Sequence, residues 1–231
     1  MPKNRMEKVK QHFSSESRTF DDLIVKVVPY YSQMIGAIIN NLPFNEDKKI
    51  KVLDLGCGTG TISYLIHQRY PNMELTCVDV SQQMLEVAKD KLKRVKKVTF
   101  ILGDFHSYRI TGKFDAIVSS LALHHLESEQ DRDIFYTSIY QSLKSGGIFI
   151  NADIMKSDNA YFQKVNYAKW KEFGMRSLSA DFIENTTFVK HREEDRCSTI
   201  LKETDRLRKI GFKHIEIFWK YYNFATYGAI K

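Results

Sequence analysis

The chain has 231 residues, 43% of them hydrophobic and 13% aromatic, enough to bury a full core in one domain with embellishments. No apolar run reaches the roughly 18 residues a spanning helix requires, and residues 1–10 are too polar for a signal peptide, so a cytoplasmic protein with no membrane partner is expected. The net charge of +7 is modest and lacks interleaved aromatics, which disfavours nucleic acid as a partner while leaving it open.

In chain order, two N-terminal helices are expected at about 20–27 and 30–41, separated by Pro29. From Ile50 onward short β-branched runs alternate with helical patterns. Strands are read at 51–55, 74–78, 98–102, 114–119 and 147–152, with helices at about 61–69, 82–93 and 129–143 between them. The alternation predicts an α/β fold with a parallel sheet wound on both faces. An amphipathic stretch at 161–173 follows, then a helix at about 199–210 stopped by Gly211, and closing strands at 213–219 and 221–230 that pair as a hairpin at the sheet edge. The basic run from Lys91 to Lys97 reads as the solvated end of a helix, where cations complement the macrodipole, or as a phosphate-holding cluster. The three scattered cysteines, Cys57, Cys77 and Cys197, give no disulfide or zinc framework, and no metal is expected.

One stretch stands out, Asp54-Leu55-Gly56-Cys57-Gly58-Thr59-Gly60 at the end of the first strand. Alternate glycines there let backbone N–H groups approach a ligand at the start of the next helix, as at nucleotide sites. The spacing is neither the dinucleotide fingerprint nor a P-loop. Asp79 ends the second strand, where a carboxylate can accept hydrogen bonds from both ribose hydroxyls. Capping the next helix is the other role open to it, which Ser81 fills better. Asp104 and Phe105 follow the third strand and Ser120 the fourth, so four strand ends point at one crevice.

This constellation, with Val78-Asp79-Val80-Ser81, Gly103-Asp104-Phe105 and the later Leu143-Lys144-Ser145-Gly146-Gly147, resembles the class I S-adenosylmethionine-dependent methyltransferases over roughly residues 49–152. The resemblance implies a doubly wound, seven-stranded, mostly parallel Rossmann-like sheet with its last strand antiparallel, plus added N-terminal helices. It implies S-adenosylmethionine as cofactor. Asp54, Gly56, Cys57, Gly58 and Gly60 would face its methionine part, Asp79 and Val80 the ribose, and Asp104 and Phe105 the adenine. The acceptor would sit above Ser120. Residues 1–48 would then be a helical lid, 49–152 the cofactor-binding core, and 153–231 the substrate-side helices and closing hairpin of a single domain.

The flanks, Thr19-Phe20-Asp21-Asp22, Val28-Pro29-Tyr30-Tyr31-Ser32, Gly211-Phe212 and Tyr222-Asn223-Phe224, resemble the carboxy-S-adenosylmethionine synthase family. That family acts in wobble-uridine modification of tRNA and makes a carboxylated cofactor from S-adenosylmethionine and prephenate. Carried over, Tyr31 and Ser120 would touch the cofactor, and Arg192 would hold the added carboxylate as a substrate-binding residue. Two departures separate the chain from the synthases: it is shorter between Asp22 and Val28, and Gly58-Thr59-Gly60 is the ordinary methyltransferase loop.

The main reading is therefore methyl transfer to a small-molecule acceptor, with assembly into a homodimer left open. The synthase activity and a binding module without turnover are the alternatives. Methyl transfer from a sulfonium needs proximity, and a base only where the nucleophile carries a proton. His124 and His125 are the catalytic candidates for that base. Packing, or capping of the helix near Ser128, is the structural role open to either. Phe20, Tyr30, Tyr31, Trp170, Tyr221 and Tyr222 are expected either to wall an apolar pocket or to pack in the core.

Overall fold

The centre of the sheet is built from strands that are apolar on both faces, the pattern of a parallel sheet covered by helices on each side. In the computed structural model, which describes residues 5–231, β1 (Lys51–Leu55) buries four consecutive residues and β4 (Phe114–Ser120) six. Together with β2 (Glu74–Asp79), β3 (Val98–Leu102), β5 (Leu143–Ile154), β6 (Lys213–Tyr221) and β7 (Phe224–Ile230) they form one seven-stranded sheet in the order β3-β2-β1-β4-β5-β7-β6. β1 to β5 pair in parallel. β7 runs antiparallel to both β5 and β6 and lies between them, so the closing hairpin enters the sheet through its second strand.

Helices α1 (Arg5–Glu16), α2 (Phe20–Val27) and α3 (Tyr31–Asn40) precede the sheet; α4 (Thr61–Arg69), α5 (Gln82–Lys91) and α6 (Glu129–Ser142) link its strands. α7 (Ala160–Gly174) leads into a helical segment made of α8 (Ala180–Phe182), a π-turn at Ile183–Thr187 and α9 (Phe188–Glu194), and α10 (Ile200–Ile210) precedes the hairpin. Two of these, α1 and the 180–194 segment, were not foreseen. A second correction concerns the lid. α3 belongs to the core, since Met34 and Ile38 are fully buried and pack with α4, α5 and the sheet. α1 lies outside this cluster, while α2, bent away from α3 by 100°, packs Ile24 and Val27 against it. Among the described residues no single helix is long and apolar enough to cross a membrane.

One core fills the face under α3, α4 and α5, and the other the face under α6 and α10. In the second, Phe149 is fully buried with its ring edge-on to Tyr136 at 5.5 Å and tilted against Phe212 at 6.2 Å. Phe149→Ala is expected to lower the unfolding free energy by roughly 3–5 kcal/mol, read from urea denaturation. A loss under about 1 kcal/mol would show that this face is not close-packed.

Candidate cofactor and acceptor site

A first cavity, of about 80 Å³, opens where β1, β2, β3 and β4 end. Its floor depends on the glycine loop. Gly56 has φ +69° and an added Cβ there would lie 2.3 Å from Ala122 Cβ; at Gly58, φ +53°, an added Cβ would meet no atom within 4 Å. Gly56 admits only glycine, while Gly58 presents bare backbone to the cavity. Asp79 holds the loop from behind. Its Oδ2 accepts the Gly58 N–H at 2.8 Å and its Oδ1 the Ser81 N–H at 2.8 Å, and Ser81 caps α5 by accepting the Met84 N–H. Burial pushes the Asp79 carboxyl up, and the amides of Ser81, Gly58 and Val80 act against that.

Cys57, Val80, Phe105, Ser120 and Tyr31 also line this cavity. The Cys57 thiol is raised by its hydrogen bond with Cys77 and by burial, so it stays protonated. The Ser120 Oγ is buried without a partner. Burial raises the Tyr31 phenol, assisted by the charges of Asp21 and Asp54.

Three expected residues lie outside the cavity wall. Asp54 is buried one layer beneath it: Oδ2 accepts the Ser63 hydroxyl at 2.6 Å, Oδ1 has no partner, and burial, then the Asp79 charge, pushes its carboxyl up to about 7. Gly60 starts α4 from behind, packed on Ala88. Asp104 turns into its own loop, accepting the His106 N–H at 2.9 Å. Gly103 and Phe105 reach the cavity in its place.

The roof was largely missed in the sequence. Met6, Val9 and Phe13 of α1 and Phe20 of α2 close the cavity, and the first three stand at helical spacing in an otherwise polar segment. α2 is fixed to the glycine loop by Asp21, whose Oδ1 accepts the Thr59 hydroxyl at 2.6 Å and whose Oδ2 pairs with Lys91 at 2.6 Å. Lys91 thus leaves the basic run to serve as a strut. α1 is held by Arg5, which donates to the carbonyl oxygens of Glu194 and of His125, and by His12, at 2.9 Å from both Glu194 and Glu16.

A second cavity of about 150 Å³ adjoins the first through Phe13, Phe20, Leu121 and His125. Ile24, Val27, Trp170, Phe182 and Phe224 make it apolar; His124, His125, His191 and Asp195 form its polar end. Leu121, at the junction, adopts a left-handed φ of +51°, an uncommon backbone state for a non-glycine residue. Of the expected aromatics, Tyr30 and Tyr221 pack on each other at 4.9 Å, apart from both cavities.

The two histidines separate electrostatically. His124 Nδ1 is 2.5 Å from Asp153 Oδ1 and its Nε2 is 3.3 Å from Asp195 Oδ1. Burial disfavours its charged form, but the two carboxylates outweigh burial and raise it to about 10. Its two ring nitrogens are both engaged by carboxylates, which favours its charged form over the neutral form a base requires. His125 is pushed down to about 3 by burial and then by the charge on His124. Its Nδ1 lies 3.4 Å from the Glu194 carbonyl oxygen, and its Nε2 is buried without a partner. Neither ring caps α6, which Ser128 and Asp131 cap reciprocally.

Arg192 departs from expectation altogether. It is exposed on the outer side of α9 and borders a surface cleft with Lys156 and Arg196, outside both cavities. The inward positions of that segment are taken by Phe188, His191 and Glu194. Asp153 and Asp195, which govern the histidines, were not singled out: each sits among other polar residues with no motif to mark it.

The α1 clamp has a pH dependence of defined sign. Burial lowers His12, but its hydrogen bonds to Glu16 and Glu194 outweigh that and raise it from 6.5 to about 9. A group raised on folding contributes stability that is complete below its unfolded value and is lost as pH rises through its folded value. Hydrogen exchange of α1, corrected for intrinsic rates, is expected to show protection at pH 6 that is lost above about pH 9. His12→Gln should remove that dependence, and equal protection at both ends would refute the clamp.

A methyltransferase domain family matches residues 52–147. Over nearly its whole length the chain is similar to carboxy-S-adenosyl-L-methionine synthases. It is 29% identical to that of Nautilia profundicola, covering 92% of this chain and 90% of the relative. It is 28% identical to that of Campylobacter hominis, covering 99% and 97%. Among solved structures, the DhpI-SAM-HEP complex matches with a TM-score of 0.66 at 15% identity, over 100% of this chain and 99% of that one. Human N-acetylserotonin methyltransferase in complex with SAM matches with a TM-score of 0.62 at 14% identity, over 96% of this chain and 56% of that one. Both structures share the fold. The strand order, the glycine loop and the matched family agree: residues 52–147 carry a methyltransferase domain, and the chain has the Rossmann-like fold of S-adenosylmethionine-dependent methyltransferases, with S-adenosylmethionine as cofactor.

Proposed function

We propose that this chain methylates a small, largely apolar acceptor held in the second cavity, with α1 and α2 as the lid over both cavities. The observation that carries this reading is the junction at Leu121 and His125, where the cofactor crevice continues into an apolar chamber with one polar end. The residues suit the cofactor. Gly58 leaves open space, the Ser120 hydroxyl lacks a partner, and the Asp79 carboxylate reaches the same cavity. S-adenosylmethionine supplies an activated methyl group on a positive sulfonium. The protein orients the acceptor against it, and effective concentration at near-attack distance provides much of the rate. His125, whose ring borders both cavities, anchors the acceptor's heteroatom there, while His124, fixed between two carboxylates, positions its neighbour.

The full-length likeness to carboxy-S-adenosyl-L-methionine synthases supports a second reading, conversion of the cofactor itself. Two observations favour methyl transfer over it. Arg192 is exposed away from the crevice, and among the described residues no lysine or arginine lines the first cavity. Lys190, which lines the second cavity, is already paired with Glu16, so a carboxylate added beside the sulfonium would find no free lysine or arginine among the described residues lining the first cavity.

Asp79→Ala is expected to weaken S-adenosylmethionine binding by about 1.5–3 kcal/mol, the range for hydrogen bonds to a charged group. Isothermal calorimetry reads this directly. Unchanged affinity in a folded variant would remove Asp79 from the site.

A further inference from the structure

We infer that His124, His125 and Asp195 form a binding site for a divalent transition-metal ion at the polar end of the second cavity. One ligand atom from each lies within 4.8 Å of the others. Asp195 Oδ1 is 3.3 Å from His124 Nε2 and 3.8 Å from His125 Nδ1. A four-coordinate ion with bonds of about 2.0–2.1 Å holds its ligand atoms roughly 3.4 Å apart, so small side-chain rotations close the set.

The surroundings are those of a metal site. Asp153 Oδ1 sits 2.5 Å from His124 Nδ1, which fixes the ring and leaves Nε2 for the ion, the usual carboxylate–histidine arrangement behind a metal. Asp153 is itself held by the backbone N–H groups of His124 and Ile154 and by the Asn151 amide. Two buried carboxylates thus flank one imidazole, a charge that a dication matches. With Nδ1 of His125 on the ion, its Nε2, the buried ring nitrogen without a protein partner, carries the hydrogen. Two imidazoles and one carboxylate suit zinc, cobalt, manganese or iron in the divalent state. Three protein ligands leave positions open toward the chamber.

The site stands on its side chains. Only the role of the ion rests on the methyl-transfer reading: it would bind a hydroxyl of the acceptor and lower its pKa, so the proton leaves to solvent. The oxygen then bonds to the methyl carbon as the carbon–sulfur bond breaks, its electron pair staying on sulfur. The acceptor class is accordingly a hydroxyl-bearing apolar molecule.

The test uses the full chain without a histidine tag, stripped with a chelator and titrated with cobalt(II) in the absence of cofactor. Visible absorption and calorimetry should show saturable binding of a single ion per chain, displaced by zinc(II). His124→Gln and Asp195→Asn should each weaken binding at least tenfold, and Asp153→Asn by roughly 10–100-fold. Circular dichroism checks folding, with His125→Gln in reserve should Asp195→Asn unfold. Cys197→Ser should leave affinity unchanged; this separates the site from the outer set of His191, Asp195 and Cys197. No saturable binding by folded wild type, binding that survives both His124→Gln and His125→Gln, or loss confined to Cys197→Ser would each overturn the inference. Calorimetry with S-adenosylhomocysteine on the same samples reads the cofactor site separately, so failure of metal binding alone leaves methyl transfer standing.

Discussion

A single buried carboxylate organises the site. Asp79 ends β2 and accepts N–H groups from Gly58 and Ser81, so the glycine loop, the strand end and the first turn of α5 are tied to one charged group. Burying a carboxylate is costly unless its oxygens are hydrogen-bonded, and the amides meet part of that cost while leaving the group facing the crevice. The arrangement extends outward. Thr59 and Thr61, inside the loop, hold Asp21 of α2, and Lys91 at the end of α5 closes the same cluster. The position of the lid therefore follows from the position of the loop.

The polar end of the second cavity is governed by a different balance. Asp153 and Asp195 raise His124 against its burial, and His125 is lowered by burial first and then by the charge on His124. Adjacent residues of one type are thus shifted in opposite directions by their surroundings. Behind them a buried chain runs from Asp153 through Asn151 and Tyr227 to Glu203, which pairs with the buried Arg206 of α10. Within this network the Asn151 Oδ1 alone lacks a partner, so the network ties Asp153 to Tyr227 through the Asn151 amide N–H groups.

Much of this was legible before the structure. The strands and the glycine loop announce themselves because β-branched runs and positive-φ turns leave strong local signals, and Asp79 stands at the strand end where a sharp turn places it in the crevice. β5 begins earlier than expected, at Leu143, because pairing with β4 extends it past Gly147, a contact no local pattern encodes. α1 was missed because Met6, Val9 and Phe13 are sparse among charged residues, and only tertiary burial reveals their stripe. The exposure of Arg192 has a plain cause. Its neighbours Lys190, His191 and Glu194 face the cavity, and a single step around a helix of 3.6 residues per turn points it to solvent. The separate fates of His124 and His125 depend on Asp153 and Asp195, residues distant in sequence, and are invisible without the fold.

The central claim is that this chain uses S-adenosylmethionine as a methyl donor and leaves the cofactor's sulfonium uncarboxylated. Incubating the wild-type protein with S-adenosylmethionine and prephenate, then resolving the products by mass spectrometry, tests it most directly. The account predicts binding of intact S-adenosylmethionine and no carboxylated cofactor above a protein-free control. Catalytic accumulation of carboxy-S-adenosylmethionine would contradict it.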